Sequence, residues 1–237
     1  MMAVILAGGK GLRLKPYTMV IPKPLLPVGE IPILEVMLRQ LAKASISKVV
    51  MTLGHMDQLF VSTFGDGSRF GLHIEYCREE EPLGTAGPLR LIPNLEDNFF
   101  VMNGDLLTTI DFADLYKTHI NTKSQATIAV HQRTVFIDYG VIEMSEQKML
   151  QRYVEKPQIP YHVSMGINVL SCQCLEYIPK TGKFDMPALM TALQQGGKRV
   201  RCYQTDCYWQ DIGRFDDYLK ASEDFVNHPE MFLPREK

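Results

Sequence analysis

One stretch constrains this chain more than any other: Ala3-Val4-Ile5-Leu6-Ala7-Gly8-Gly9-Lys10-Gly11-Leu12-Arg13-Leu14-Lys15-Pro16. A short apolar run that begins at the second residue and ends in glycines predicts a buried strand whose carboxyl end opens onto a ligand, the usual place for one in an α/β sheet. Gly8, Gly9 and Gly11 let the backbone turn tightly and bring its amides close to an oxyanion, because no Cβ stands in the way. Between Met1 and Gly29 there are four cations, Lys10, Arg13, Lys15 and Lys23, and no Asp or Glu. That imbalance predicts a polyanion site. Two familiar phosphate loops do not fit, since the third glycine of G-x-G-x-x-G is missing and G-x-x-x-x-G-K-[ST] is absent.

The rest of the chain predicts what this strand is embedded in. Ile33 to Ala44 carries apolar residues at helical spacing, and Lys48 to Leu53 reads as a second buried strand. Asp57 to Phe64 is helical again, Leu72 to Cys77 a third strand and Asn98 to Met102 a fourth. Asp111 caps an amphipathic helix to Ile120, and Gln125 to Val130 is another strand. This alternation predicts an α/β fold, a doubly wound, mainly parallel, Rossmann-like sheet in three α/β/α layers. Past residue 135, Tyr139 to Met144, Leu150 to Val154 and His162 to Leu170 are strand-like with little helix between them, as in a small antiparallel β insertion. Helices resume at Cys174 to Ile178 and Met186 to Leu193; after short strands at Val200 to Tyr203 and Tyr208-Trp209, Arg214 to Val226 closes the chain.

Two proline-rich places refine this reading. Pro22-Lys23-Pro24 and Pro27 predict an extended, stiff strap that presents Lys23. Pro88 places a helix start close to Thr85, beside Gly84.

With 237 residues the chain suffices for one large α/β domain, and its net charge of −2 carries no nucleic-acid footprint. No apolar run is long enough to span a bilayer and no basic-then-apolar leader opens the chain, so a cytoplasmic protein is expected. The cysteines, Cys77, Cys172, Cys174, Cys202 and Cys207, lack zinc-knuckle spacing, the histidines do not cluster, and no serine sits in a G-x-S-x-G elbow. No protein nucleophile is indicated. Two acids do suggest metal work: Asp105, after the fourth strand, and Asp211, after the only tryptophan. Mg²⁺ typically uses one or two carboxylates and completes its shell with water and substrate phosphates. Lys23 and Lys156, each beside a proline, lose less freedom on binding a phosphate than free lysines do.

Taken together, Leu6-Ala7-Gly8-Gly9-Lys10-Gly11-Leu12-Arg13-Leu14, Pro22-Lys23-Pro24-Leu25-Leu26-Pro27, Leu83-Gly84-Thr85-Ala86, Asn103-Gly104-Asp105, Val154-Glu155-Lys156-Pro157 and Trp209-Gln210-Asp211-Ile212-Gly213 occur in the order found in the sugar-1-phosphate nucleotidylyltransferases, which this chain resembles from Met2 to about Leu219. The resemblance implies that Leu6, Ala7, Gly8, Gly9 and Gly11 cradle a nucleotide, that Arg13 holds the leaving pyrophosphate and that Lys23 meets the reacting phosphates. It implies further that Glu81 and Gly84 border the base and that Asp105 and Asp211 hold Mg²⁺. Asn103, Gly140, Glu155, Lys156 and Ser164 would line the sugar-phosphate side. Residues 1–134 would form the nucleotide-binding half and 135–237 the sugar-phosphate-binding half of a single domain.

The chain departs from the family pattern twice. Leu12 replaces a small hydroxyl residue in the glycine loop, and Ser164-Met165-Gly166 replaces Asn-Ala-Gly. It ends soon after its closing helix, so the left-handed β-helix that many members append is not expected. The implied reaction joins a nucleoside triphosphate to a sugar-1-phosphate; Glu79-Glu80-Glu81-Pro82-Leu83-Gly84-Thr85-Ala86-Gly87-Pro88-Leu89 looks most like GDP-mannose pyrophosphorylases and favours GTP with mannose- or heptose-1-phosphate. Uridylyl, thymidylyl or cytidylyl transfer, a nucleotide-sugar-dependent glycosyltransferase and a non-catalytic sensor stand as alternatives. The only macromolecular partner expected is a second copy of the chain in a homodimer.

Overall fold

The structure, a computed structural model, describes residues 1–9, 11–54 and 56–233. Lys10, one of the cations of the opening segment, and His55 lie outside the described residues.

The chain runs β1 (Met2–Leu6), β2 (Pro27–Val28), β3 (Ile31–Pro32), α1 (Ile33–Lys43), β4 (Lys48–Leu53), α2 (Asp57–Phe64), β5 (His73–Arg78), β6 (Asn98–Asn103), β7 (Leu106–Thr108), α3 (Phe112–Thr122), β8 (Ala126–Phe136), β9 (Val141–Met144), β10 (Leu150–Val154), β11 (Gln158–Ser171), α4 (Met186–Gln195), β12 (Val200–Gln204), β13 (Trp209–Asp211), α5 (Phe215–Asn227) and α6 (Pro229–Phe232). Seven strands form one sheet in the order β12-β8-β11-β6-β1-β4-β5, with β11 antiparallel to both its neighbours and every other pairing parallel. The mainly parallel sheet is therefore as predicted. β9 and β10 pair only with each other, as the antiparallel insertion.

Alternation along the strands builds the layers. Ala3 and Ile5 of β1 face one side, where Leu34, Met37 and Leu38 of α1, Phe60 of α2 and Leu115 of α3 pack. Met2 and Val4 face the other, against Leu89 and the α4 residues Leu189 and Leu193. A third cluster, with Val28, Ile33, Leu107, Ile212, Phe225 and Phe232, ties the carboxyl-terminal helices to the β2–β3 ribbon. This last cluster is what brings the far end of the sequence back to the carboxyl edge of β1.

Three local expectations change. Lys23-Pro24-Leu25 is a single turn of 3-10 helix, not an extended strap. A 3-10 turn accepts proline's fixed φ, and its bonds, from Leu25 N to Pro22 O at 2.9 Å and Leu26 N to Lys23 O at 3.1 Å, do not need the missing Pro24 donor. The helices expected near Thr85 and at Cys174 to Ile178 are likewise only 3-10 segments, Gly87–Leu91 and Cys172–Tyr177.

Under the sheet, His119 of α3 is 1% exposed and bonded on both ring nitrogens, to Thr127 Oγ1 at 2.8 Å and Asn98 Oδ1 at 3.0 Å. Burial pushes its pKa down from 6.5 to about 4. The folded protein then holds a neutral ring while the unfolded chain takes up a proton, so stability is lost as pH falls from 6.5 toward about 4. From pH 7 to about pH 5, wild type should lose about 2 kcal/mol more than His119→Gln in denaturant titrations. Parallel pH dependence of the two proteins would contradict this.

Candidate active site

Two cavities open at the carboxyl ends of the central parallel strands. Register places Leu6 of β1 beside Thr52 of β4 and Asn103 of β6. Ala7 N donates to Thr52 O at 3.0 Å and Gly104 N to Leu6 O at 3.0 Å, so the loops leave the sheet tied to its edge.

The first cavity, about 360 Å³, is lined by Leu6, Ala7, Gly8, Gly9, Gly11, Arg13, Lys23, Pro24, Thr52, Glu79, Pro82, Gly84, Thr85, Asn103, Asp105, Lys183 and Asp185. A Cβ on Gly8 would stand 2.7 Å from Glu79 Oε1, and one on Gly11, at φ +57°, would stand 2.9 Å from Thr18 Cγ2. The glycine loop is thus closely packed, held by Thr18 Oγ1, which donates to Gly11 O at 2.8 Å. The second cavity, about 530 Å³, is lined by Leu6, Thr85, Asn103, Leu106, Ile128, Ser164, Met165, Gly166, Asn168, Met186, Pro187, Met190, Trp209 and Asp211. Leu6, Thr85 and Asn103 border both, so the two are chambers of one cleft.

The acids sit where the chambers join. β13 pairs with β7 so that Asp211 lies opposite Leu106, the residue after Asp105, and Ile212 N donates to Asp105 O at 3.3 Å. Acids 106 positions apart become neighbours through the three residue pairs of this one strand pairing. Lys23, 8% exposed, donates from Nζ to Asp105 Oδ2 and stands 3.7 Å from Asp211 Oδ1. Burial holds the Asp211 carboxyl above its usual range, the Asp105 charge adds to this, and Lys23 and Arg13 oppose it. Two clustered carboxylates that the neighbouring cations leave only partly neutralised form a donor set suited to a divalent ion, whose remaining positions water and phosphate would fill.

The structure gathers Leu6, Ala7, Gly8, Gly9, Gly11, Arg13, Lys23, Gly84, Asn103, Asp105, Ser164 and Asp211 around this cleft. It does not bring Glu81, Gly140, Glu155 or Lys156 into the lining of either chamber. Glu81 is exposed, and Glu79 occupies the nucleotide-side wall instead, because β5 ends at Arg78 and the next residue turns back toward Gly8. Glu79 Oε2 accepts from Leu83 N at 3.0 Å, and burial raises its carboxyl. Gly140, Glu155 and Lys156 lie on the antiparallel insertion, where Tyr153 packs on Gly140 and its hydroxyl donates to Glu155 Oε2 at 3.4 Å.

Sequence reasoning missed Thr52, Glu79, Lys183 and Asp185. For the last two no local signal existed: they reach the cleft because Ala86 N and Gly87 N both donate to Phe184 O, at 3.0 and 2.9 Å, and Thr85 N donates to Asp185 Oδ1 at 3.1 Å.

A Rossmann-like sheet with a glycine cradle, a buried lysine and paired acids at its carboxyl edge defines a class, the α/β proteins built to handle nucleotide phosphates. Within that class the assignment is direct, since the nucleotidyl transferase family model matches residues 2–228, and the chain belongs to that family. It is 32% identical over 233 residues to a mannose-1-phosphate guanylyltransferase of Mycobacterium tuberculosis, covering 94% of this chain and 64% of that protein. To a UTP–glucose-1-phosphate uridylyltransferase of Synechocystis it is 31% identical over 242 residues, covering 93% of this chain and 62% of the relative. The chain thus spans less than two thirds of the length of these relatives. Among solved structures, HddC from Yersinia pseudotuberculosis, also crystallised with GMP-PN, aligns with a TM-score of 0.72 over 94% of this chain and 99% of its own, at 26% and 25% identity.

Proposed function

We propose that this chain joins a nucleoside triphosphate to a sugar-1-phosphate, giving a nucleoside diphosphate sugar and pyrophosphate. The observation that carries this is the junction of two chambers at Asp105, Lys23 and Asp211. One chamber has the glycine cradle for a triphosphate, the other room for a sugar, and the charged groups stand between them.

A sugar-1-phosphate oxygen attacks the α-phosphorus, and the bond from that phosphorus to the bridging β-oxygen breaks, releasing pyrophosphate. The nucleophile is already an anion, so no general base is needed, and alignment with charge neutralisation suffices. Amides of Gly8, Gly9 and Gly11 orient the triphosphate. Lys23, fixed between two carboxylates, faces the reacting phosphates, and Arg13 holds the departing pyrophosphate. Asp105 and Asp211 would hold Mg²⁺, which supplies neutralisation of the phosphate charge when bound. Glu155 and Lys156 of the insertion would meet the sugar phosphate from the solvent side.

The preferred triphosphate is GTP. Glu79 presents a carboxylate in the nucleotide chamber, suited to accept from the N–H edge of guanine, and the mannose-1-phosphate guanylyltransferases are among the relatives. Glu79→Gln keeps an acceptor for Leu83 N but loses the charge. It should lower kcat/KM for GTP about 10- to 100-fold relative to UTP. An unchanged GTP/UTP ratio would remove Glu79 from base selection. The reading as a whole is tested by pyrophosphate release from the four triphosphates against a broad panel of sugar-1-phosphates, those of mannose and heptose type included; release with none of them would sink it.

A further inference from the structure

Among the described residues one side-chain polar atom is buried with no hydrogen-bond partner, and its residue stands in the wall of the nucleotide chamber. It is Oγ1 of Thr52, a residue 1% exposed near the carboxyl end of β4. Nothing in the fold uses this hydroxyl. Val49, Val50, Met51 and Leu53 beside it are buried hydrocarbon, and the bond that ties Thr52 to the opening loop is made by its backbone, whose carbonyl accepts from Ala7 N at 3.0 Å. Valine has the same shape and would avoid the penalty that a buried, unpaired hydroxyl carries.

The missing partner is close at hand. β4 and β5 pair with Thr52 opposite Cys77, and Glu79 N donates to Leu53 O at 2.8 Å, so Glu79 lines the same wall. Its half-buried carboxylate accepts one hydrogen bond among the described residues, at Oε2 from Leu83 N at 3.0 Å, although a carboxylate has room for about four. Oε1 faces Gly8. Burial raises this carboxyl, while Leu83 N and the nearby Thr52 hydroxyl pull it back down. The hydroxyl thus lies near enough to favour the charge without meeting it at hydrogen-bonding geometry. A donor without an acceptor stands beside an acceptor short of donors.

Resting on the reading of Glu79 as the group that accepts from the base, we propose that Thr52 is its positioning residue: as a base N–H engages the Glu79 carboxylate, the Thr52 hydroxyl donates to it and fixes it in the chamber wall. Thr52 Oγ1 is itself sealed from the chamber surface, so it acts on the nucleotide only through Glu79. Base selection then depends on two residues, one of which does not touch the base.

The test is kcat/KM for GTP and for UTP, by pyrophosphate release from the full chain with Mg²⁺ and the sugar-1-phosphate that wild type uses best. Wild type is compared with Thr52→Val, Thr52→Ser, Glu79→Gln and the double variant Thr52→Val/Glu79→Gln. Thr52→Val should lower the GTP/UTP ratio about 10-fold, the scale of one hydrogen bond to a charged group, and Thr52→Ser should restore most of it. In the Glu79→Gln background Thr52→Val should lower the ratio no further, because the two residues act as one unit. The melting temperature of Thr52→Val without ligand should equal or exceed that of wild type, since an unpaired hydroxyl has been removed. An unmoved ratio in Thr52→Val, no recovery in Thr52→Ser, or equal effects of Thr52→Val with and without Glu79 overturns the proposal. So does a Thr52→Val protein that melts several degrees below wild type or does not fold, which would mean that the hydroxyl already serves the fold. A ratio that falls in Glu79→Gln but not in Thr52→Val removes Thr52 alone and leaves the reading of Glu79 standing. An unmoved ratio in Glu79→Gln removes both, and absence of pyrophosphate with every triphosphate and every sugar phosphate overturns the transferase reading itself.

Discussion

Asp105→Asn and Asp211→Asn each lower turnover by about 10² to 10³, as expected when one preorganised electrostatic contact to a reacting phosphate is lost. Asparagine keeps the shape of the side chain and a carbonyl acceptor but removes the charge. Lys23→Ala acts at the same junction with a second consequence: the lysine is 8% exposed and lies between both carboxylates, so its loss leaves two like charges facing each other. Asp211 retains partial solvent access, with its side chain 44% exposed, which limits the stability cost to about 1–3 kcal/mol. Urea unfolding and single-turnover assays separate the two effects. In the aspartate variants turnover falls and the unfolding midpoint does not, whereas in Lys23→Ala both fall. Near-wild-type turnover in any of the three would remove that residue from the reaction.

Gly84→Ala is the other large effect expected. Gly84 has φ +84°, and an added Cβ would stand 2.6 Å from both Phe184 O and Asp185 Oδ1. Backbone cannot move aside as a flexible side-chain end can. The segment it meets is stitched to residues 83–87 by the Phe184 and Asp185 bonds, and that seam supplies Gly84, Thr85, Lys183 and Asp185 to the nucleotide chamber. A left-handed non-glycine residue combined with overpacking gives a loss of about 2–4 kcal/mol. The KM for the triphosphate should rise as the seam opens. Gly182→Ala is the control: φ is +80° there, but nothing lies within 4 Å of the new Cβ, so only the backbone term of about 1 kcal/mol remains. Equal melting temperatures for the two variants would show that the seam does not bear on stability.

Much of the frame was legible because it is written in local periodicity. β4 and α2 fall where the apolar spacing puts them, at Lys48–Leu53 and Asp57–Phe64. Asp111 caps α3 as its residue type predicts, accepting from Asp114 N at 2.9 Å. The glycine cradle was readable for the same reason, since loop, strand and cations are contiguous in the chain. The turn at Lys23 was misread because proline density excludes the α-helix without choosing between an extended strap and a 3-10 turn. The length of β11, Gln158–Ser171, was also hidden: its register shifts between Ser164 and Asn168, and Gly166 at φ +72° interrupts the alternation that marks a strand.

What the sequence determined alone is most of the order of strands and helices and the glycine-rich, cationic loop after β1, both properties of residues close together in the chain. Tertiary structure decided which of three successive glutamates enters the cleft, that Lys183 and Asp185 line it, and that Asp211 stands beside Asp105. The reason is that side-chain direction at the end of β5, the seam between residues 83–87 and 183–186 and the pairing of β13 with β7 are long-range packing outcomes. No local pattern of charge or hydropathy encodes them.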